Sequence, residues 1–360
     1  MNVDFSPISQ SKRDVARIAQ IFNILVKFRM GRFVESARTG EKIDVKIVER
    51  ERAELMKAKP PERARMLLEE LGTTFVKFGQ ALSTREDIVG PDYAKAFSKL
   101  QDKMRPFSPE QAKRVVKEEL GKSVEDIFSS FDPVPTGSAS IAQVHRATLK
   151  NGDRVVVKIQ RPGIEETVKE DVRIMHYLAR LVNKYVPEAR MYDPKYLVDE
   201  FERAITKELD FNREAKNAVR LQENFKGVKG VCVPKIYKDL CTTRVLTMQE
   251  IRGTRLSEVV KSDSKRFNKR LIARRIAKAF FKMILSDGFY HADLHPGNIM
   301  VLKNNVICFL DFGRMGTIDK ELAENMFLLA KFTISGNVEG MVAHLTRMGI
   351  LGDFADMAAF

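Results

Sequence analysis

Cysteine is scarce in this chain, and its three copies, Cys232, Cys241 and Cys308, have neither the even number nor the dense spacing of a disulfide framework. No C-x-x-C pair suggests zinc, so a reducing cytosolic compartment is the default expectation. Long apolar runs are missing too. Nothing approaches the ~18 consecutive apolar residues that a membrane span requires, and the start, with Asp4, has no apolar core of a secretory signal. The segment is therefore expected to be soluble or peripheral. Internal repeats and low-complexity tracts are also absent. What is present is enough apolar material, 44% of 360 residues, to fill a sizeable core, which rules out disorder for most of the chain. Lysine and arginine number 62 against 48 acidic residues, a formal charge of +14 that favours nucleotides, nucleic acid or acidic lipid headgroups as partners. Charge alone does not choose among them.

Three zones follow one another. From Ser11 to about Leu100 the period is helical, as through Ala64, Leu67, Leu68 and Leu71, with breaks at Pro60-Pro61 and Gly90-Pro91. Ser108-Pro109-Glu110 then reads as a capped helix start running to Leu120, where Gly121 stops it. In the middle zone two β-rich runs, Ile141 to Ala147 and Val155 to Ile159, flank Asn151-Gly152 and predict a tight hairpin. Helices are predicted over Val168 to Val186 and Pro194 to Phe225. β-rich runs return at Val231-Cys232-Val233 and Arg244 to Met248, giving a small antiparallel sheet with inserted helices. From Arg266 the chain is helical through Met283, reaches a loop from His291 to Asn298, and makes two strands, Ile299 to Leu302 and Val306 to Leu310, across Asn304-Asn305. Strands and helices in blocks indicate an α+β fold.

The chemistry lies in His291-Ala292-Asp293-Leu294-His295-Pro296-Gly297-Asn298 paired with Asp311-Phe312-Gly313. Phosphoryl transfer needs oxygen ligands that hold Mg²⁺ on the phosphates and a carboxylate beside the attacking group, and these segments supply both. Their order matches the H-x-D-L-x-x-x-N loop and D-F-G of protein kinases. Upstream, Gly137, Ser138, Ala139, Ser140, Ala142 and Val144 fit G-x-A-x-x-A-x-V, with alanine where a kinase has its second and third glycines. Alanine stiffens such a loop and adds methyl groups, so a different nucleotide pose or preference is expected. Lys158 stands where the kinase lysine pairs with phosphates and a helix glutamate. Met248 and Glu250, ending the later β-rich run, complete the expected nucleotide-binding set. For the glutamate, ordinary kinase spacing points to Glu166 or Glu170, but Glu208-Leu209-Asp210-Phe211-Asn212-Arg213-Glu214 concentrates three carboxylates that spacing alone does not rank. In a helix, Asp210 and Glu214 would share a face.

These residues resemble the UbiB family of atypical kinase-like proteins, associated with coenzyme Q biology, from about Leu71 to Arg314. Lys77-Phe78-Gly79-Gln80 matches that family's K-x-G-Q motif, Ala139-Ser140 its alanine-rich loop and Glu208-Leu209-Asp210 its E-x-D motif. The resemblance implies that Glu214 partners Lys158, that Asp293 is the catalytic aspartate, and that Asn298 and Asp311 are metal ligands. It further implies that Lys77, with Gln80, Glu208 and Asp210, forms a gate that closes the cleft where a protein kinase would admit a peptide. The expected architecture is bilobal and kinase-like, with an N-terminal helical extension (1–106) packed over the cleft, an N-lobe (107–250) and a C-lobe (251–360) that ends early, at Asp356 to Phe360. ATP and Mg²⁺ are expected between the lobes.

Ala292 replaces the arginine of H-R-D and no A-P-E follows Asp311, so peptide phosphorylation is disfavoured. An ATPase or a small-molecule or lipid-linked phosphotransferase in isoprenoid quinone or lipid metabolism remains. The rivals are an aminoglycoside-kinase type of phosphotransferase, which would lack the K-x-G-Q and E-x-D motifs, and a non-catalytic nucleotide-binding scaffold for lipid or partner proteins. The basic stretch Lys265 to Arg270, with Arg274-Arg275, reads as a solvated helix face or a contact with an anionic membrane surface. Without an RRM, KH or zinc-finger pattern, nucleic acid is disfavoured. Isoprenoid-type lipid and lipid-biosynthesis proteins are further expected partners, with membrane association through a C-terminal segment beyond this chain. His145, His176 and His344 are read as structural.

Overall fold

Ser108 accepts the Gln111 N–H at 3.3 Å while the Gln111 side chain accepts the Ser108 N–H at 3.1 Å, and this reciprocal cap starts the helix that Pro109 opens. The computed structural model describes residues 12–28, 57–100 and 104–350. The sequence readings at Asp4 and from Asp356 to Phe360 lie outside the described residues. Among the described residues the longer helices are α1 (Lys12–Lys27), α2 (Pro60–Leu71), α3 (Thr73–Leu82), α4 (Pro109–Leu120), α5 (Ile164–Tyr185), α6 (Pro194–Glu208), α7 (Phe211–Asn224), α8 (Lys269–Leu285), α9 (Lys320–Ser335) and α10 (Val338–Arg347). The strands are β1 (Phe128–Phe131), β2 (Gly137–Ser138), β3 (Ala142–Leu149), β4 (Arg154–Gln160), β5 (Val231–Cys232), β6 (Val245–Gln249), β7 (Thr254–Arg255), β8 (Phe289–His291), β9 (Ile299–Val301), β10 (Ile307–Phe309) and β11 (Met315–Thr317). The fold is α+β.

By compactness the chain divides into two units, one running to Phe211 and including Leu240–Leu246, the other comprising Asn212–Asp239 and the chain from Thr247 onward. The first unit holds the N-terminal helices together with the predicted hairpin. Strands β3 and β4 pair antiparallel from Ala142 opposite Gln160 to Thr148 opposite Arg154, and the sheet order is β1-β3-β4-β6 with β2 on β3. Alternation decides the faces. Val155, Val157 and Ile159 of β4 are fully buried, while Val156 and Lys158 between them are half-buried. α5 packs against α1, α3 and α6.

One long helix was expected over Pro194 to Phe225, and the structure breaks it at Leu209-Asp210. Tertiary hydrogen bonds explain the break. The buried Gln160 side chain of β4 donates to the Leu209 carbonyl at 2.8 Å, and the Phe211 N–H donates to the Thr243 carbonyl at 3.0 Å. Backbone groups engaged in this way cannot also continue an uninterrupted helical ladder. Asp210 and Glu214 are therefore not residues of one helix face.

The second unit contains the order β5-β10-β9-β7 and the pair β8-β11. Val231-Cys232 does not join the antiparallel hairpin sheet, as its β-rich composition suggested. It pairs parallel with Ile307-Cys308, a long-range choice that local composition does not encode. The expected strands either side of Asn304-Asn305 do form β9 and β10, with both asparagines at positive φ in the turn, a conformation asparagine tolerates. The helix expected from Arg266 begins at Lys269, because the Asn268 side chain caps it by accepting the Leu271 N–H at 3.0 Å.

Candidate functional site

In the first unit, β2 folds back on β3 so that Gly137 faces Val144 and Ser138 faces Gln143, and the Ala139 N–H closes the loop on the Ala142 carbonyl at 2.8 Å. Gly137 is exposed, Ser138 and Ala139 are half-buried, and Ser140 and Ala142 are buried. Arg161 secures this alanine-rich loop. Its guanidinium donates to the Ser140 and Ala139 carbonyls, each at 3.3 Å, and stacks over Phe107 with 5.3 Å between guanidinium carbon and ring centroid. Sequence reasoning missed Arg161, which belongs to no motif; its only signal is its place just past β4. Lys158 lies opposite Val144 on β4, with its Nζ 4.9 Å from the centre of the buried Phe211 ring.

The same unit joins the two family-specific motifs. Lys77 on α3 and Glu208 at the end of α6 form an ion pair of 2.5 Å, with side-chain exposures of only 11% and 24%. Phe78 packs edge-on against Phe201 at 5.2 Å, and Gln80 donates to the Leu100 carbonyl at 3.1 Å. The glycine between them permits close approach. A Cβ at Gly79 would run into the methyl groups of Leu68 and Leu100. Asp210 is half-buried in the break that follows Glu208.

In the second unit the β9-β10 hairpin does the assembling. Phe309 pairs with Ile299, and the Leu310 N–H donates to the Asn298 carbonyl at 3.0 Å, so the residues flanking the ladder, Asn298 and Asp311, are brought to the same end of it. Asn298 donates its side-chain amide to the Asp293 carbonyl at 3.3 Å, which leaves its side-chain oxygen as the atom suited to a cation. The Asp311 carboxylate accepts the Gly313 N–H at 2.9 Å, and a Cβ on residue 313 would approach that carboxylate to 3.3 Å. β8 and β11 pair His291 with Met315, and the Ala292 N–H donates to the Arg314 carbonyl at 3.0 Å, which holds the His291–Asn298 loop beside the segment after Gly313. His291 is buried and accepts the Asp293 N–H on Nδ1 at 3.2 Å. Burial keeps its pKa below the ordinary imidazole value, against the opposing pull of Asp311 and Asp293.

Glu214 is buried on α7 in this unit, and one turn further Asn217 donates to the Phe312 carbonyl at 2.9 Å, fixing the fully buried Phe312. Met248 is buried and Glu250 lies just beyond β6, 3.2 Å from Arg252. Arg314 stands 3.9 Å from the Asp293 carboxylate, so a cation does attend that aspartate although Ala292 is no arginine. It was legible only as the residue after D-F-G. Two further readings change. Arg275 of the basic stretch is not merely solvated, since it donates to the Asn304 carbonyl at 2.8 Å and braces the hairpin turn. His176, read only as structural, lies 2.8 Å from Glu202 and 3.7 Å from Asp199, acids one turn apart on α6. His145 is structural as expected, buried between the Asp132 carbonyl and Gln143, each at 2.8 Å.

With this geometry in place, the ABC1 atypical kinase-like domain matches residues 99–345. The chain belongs to the UbiB family of ABC1 atypical kinase-like proteins. It is 41% identical over 272 residues to "Probable protein kinase UbiB" of Aeromonas hydrophila, covering 73% of this chain and 50% of that relative. For the protein of the same name in Erwinia tasmaniensis the identity is 42% over 272 residues, with the same coverage. This UbiB-family chain thus spans about half the length of the curated relatives it matches. Among solved structures, the Rv3197–erythromycin complex from Mycobacterium tuberculosis superposes with a TM-score of 0.61 at 27% identity, covering 86% of this chain and 77% of that one. The kinase-like fold and the helices that precede it are thereby established. No described helix is long and apolar enough to cross a membrane.

Proposed function

We propose that this chain binds Mg²⁺ and ATP and either hydrolyses the nucleotide or passes its terminal phosphoryl group to a small-molecule or lipid-linked acceptor of isoprenoid quinone metabolism. The observation that carries the reading is the hairpin that brings Asn298 and Asp311 to one end of a ladder, with Asp293 held to Asn298. An amide oxygen and a carboxylate are hard oxygen donors, the type Mg²⁺ takes, so these residues fit the ion. Bound there, Mg²⁺ would neutralise charge developing on the phosphoryl oxygens.

The chain's own groups take the remaining roles. Lys158 contributes positive charge to the phosphates, and Glu214 supplies a buried carboxylate. Residues Gly137 to Val144 offer the loop that lies along the nucleotide, kept in place by Arg161, and Met248 and Glu250 complete the nucleotide-binding set. Asp293 orients the attacking water or hydroxyl and takes its proton. His291, held neutral by burial, positions the Asp293 backbone rather than exchanging protons itself. Lys77 and Glu208, with Gln80 and Asp210, restrict access and disfavour a peptide acceptor. An anionic membrane surface is the proposed partner of α8, whose exposed Lys269, Arg270, Arg274 and Lys278 accompany exposed Phe281 and Leu285.

The test is Mg²⁺-dependent phosphate release from ATP by the purified chain, alone, with anionic vesicles, with isoprenoid-like phenols and with hydrophilic acceptors. Turnover stimulated by vesicles or phenols supports the reading, and Asp311→Asn is expected to abolish it without unfolding the protein. Full Mg²⁺-dependent turnover in Asp311→Asn would remove the metal assignment. Binding of Mg·ATP without turnover under every condition would favour the scaffold reading instead.

A further inference from the structure

Two of the three cysteines are neighbours, and phosphoryl chemistry uses neither. β5 runs parallel to β10 with Cys232 opposite Cys308, and the Ile307 N–H donates to the Gly230 carbonyl at 3.0 Å to fix that register. Adjacent strands lie ~4.8 Å apart and in-register residues present their side chains on one face. That separation falls within the ~4.4–6.8 Å Cα range of a disulfide. β5 is a two-residue strand at the edge of its sheet, so few ladder hydrogen bonds resist the adjustment that S–S closure asks of it.

The two sulfurs differ in exposure. Cys308 is fully buried, whereas Cys232 is only partly so, which leaves one sulfur reachable from solution and the other reachable through it. The nearness of the two sulfurs lowers the pKa of Cys232 against the effect of burial and, together with burial, raises that of Cys308, while the Cys308 thiol itself donates to the Phe309 carbonyl at 3.7 Å. Of the two, Cys232 is the one that ionises more readily, and the thiolate is the nucleophilic form.

We propose that Cys232 and Cys308 are a peroxide-reactive thiol pair in which Cys232 is the attacking and Cys308 the resolving cysteine. The Cys232 thiolate attacks one oxygen of hydrogen peroxide. The O–O bond breaks, hydroxide leaves and takes up a proton to become water, and the sulfur is oxidised to sulfenic acid. The Cys308 sulfur then displaces the sulfenic oxygen, which departs as a second water carrying the Cys308 proton, and an S–S bond joins β5 to β10. Two thiols are oxidised and one peroxide is reduced. A thiol reductant reverses the link.

The experiment uses the full chain exposed to graded hydrogen peroxide, then alkylation in denaturant, non-reducing proteolysis and mass spectrometry. The expected product is a peptide pair joined at Cys232 and Cys308 that disappears with dithiothreitol, with Cys241 still alkylated and the link unchanged in Cys241→Ser. In Cys308→Ala, Cys232 is expected to stop at sulfenic acid and be trapped by dimedone. In Cys232→Ser, Cys308 is expected to stay reduced at the same peroxide dose. Full alkylation of both cysteines at a dose that oxidises free cysteine overturns the proposal. So does a link from Cys232 to Cys241 or to a second chain, or conversion of Cys232 to sulfinic acid without any link. The wild-type mapping decides the matter even if a variant fails to fold.

Discussion

The Lys77–Glu208 pair offers a quantitative test of how the helical segment is fastened to its own unit. The two groups are 131 positions apart in the chain and meet at 2.5 Å, with the lysine side chain 11% and the glutamate side chain 24% exposed. An exposed pair would contribute ~0–1 kcal/mol, while breaking a buried pair by removing one partner costs ~3–5 kcal/mol. The residual exposure of Glu208 places this pair between those limits. Lys77→Met removes the charge and keeps most of the stem, leaving a partly buried carboxylate with its charge unmatched, and should cost about 2 kcal/mol. Glu208→Leu should cost a similar amount. The double variant should recover much of the loss, because replacing both charges with apolar groups of similar size is often near neutral. Denaturant unfolding of the four proteins yields a coupling energy, expected to be about 1–2 kcal/mol. It should fall little in 1 M salt, since partly buried pairs are weakly screened. Additivity of the two substitutions within ~0.5 kcal/mol would refute this account and reduce the pair to a surface contact.

Gly79→Ala tests the packing beneath the same motif: the new methyl group meets Leu68 and Leu100, and overpacking of ~1–3 kcal/mol should outweigh the ~1 kcal/mol helix-propensity gain of alanine. A lowered melting temperature is expected, and a raised one would mean that the leucines yield freely. Acid should also destabilise the fold through His145 and His291, whose pKa values burial lowers. In the unfolded chain these imidazoles take protons near pH ~6.5, whereas the native ones do so only at lower pH. The unfolded state thus binds more protons in that window, so stability is complete above it and declines on acidification until the native imidazoles titrate. Unfolding midpoints at pH 7.5 and 5.5 measure the effect, and an unchanged or higher midpoint at pH 5.5 would contradict it.

Much of the local structure was legible because its causes are local. Ser108 and Pro109 cap a helix, Asn304-Asn305 turns a hairpin, and the β-branched run Val155 to Ile159 makes β4, each through groups a few residues apart. The Asn298–Asp311 end of the site was legible for the same reason: one short hairpin brings its members together. What escaped were contacts with no periodic or spacing signature. Arg161 reads as one more basic residue until its guanidinium is seen on the loop carbonyls, and Asn217 shows no motif until it meets the Phe312 carbonyl. The break at Leu209 escaped because the competing hydrogen bonds come from Gln160 and Thr243, which lie far from it in the chain.

By itself, then, the amino-acid order supplied the motifs on which the proposed phosphate- and metal-handling roles rest, since motif residues lie at separations that a turn, a strand or a helix converts directly into position. Tertiary structure alone decided that Val231-Cys232 would lie against Ile307-Cys308 and that the backbone would leave its helix between Glu208 and Phe211. Those outcomes depend on which distant backbone groups satisfy one another once the chain is packed, and no local pattern of side chains specifies that choice.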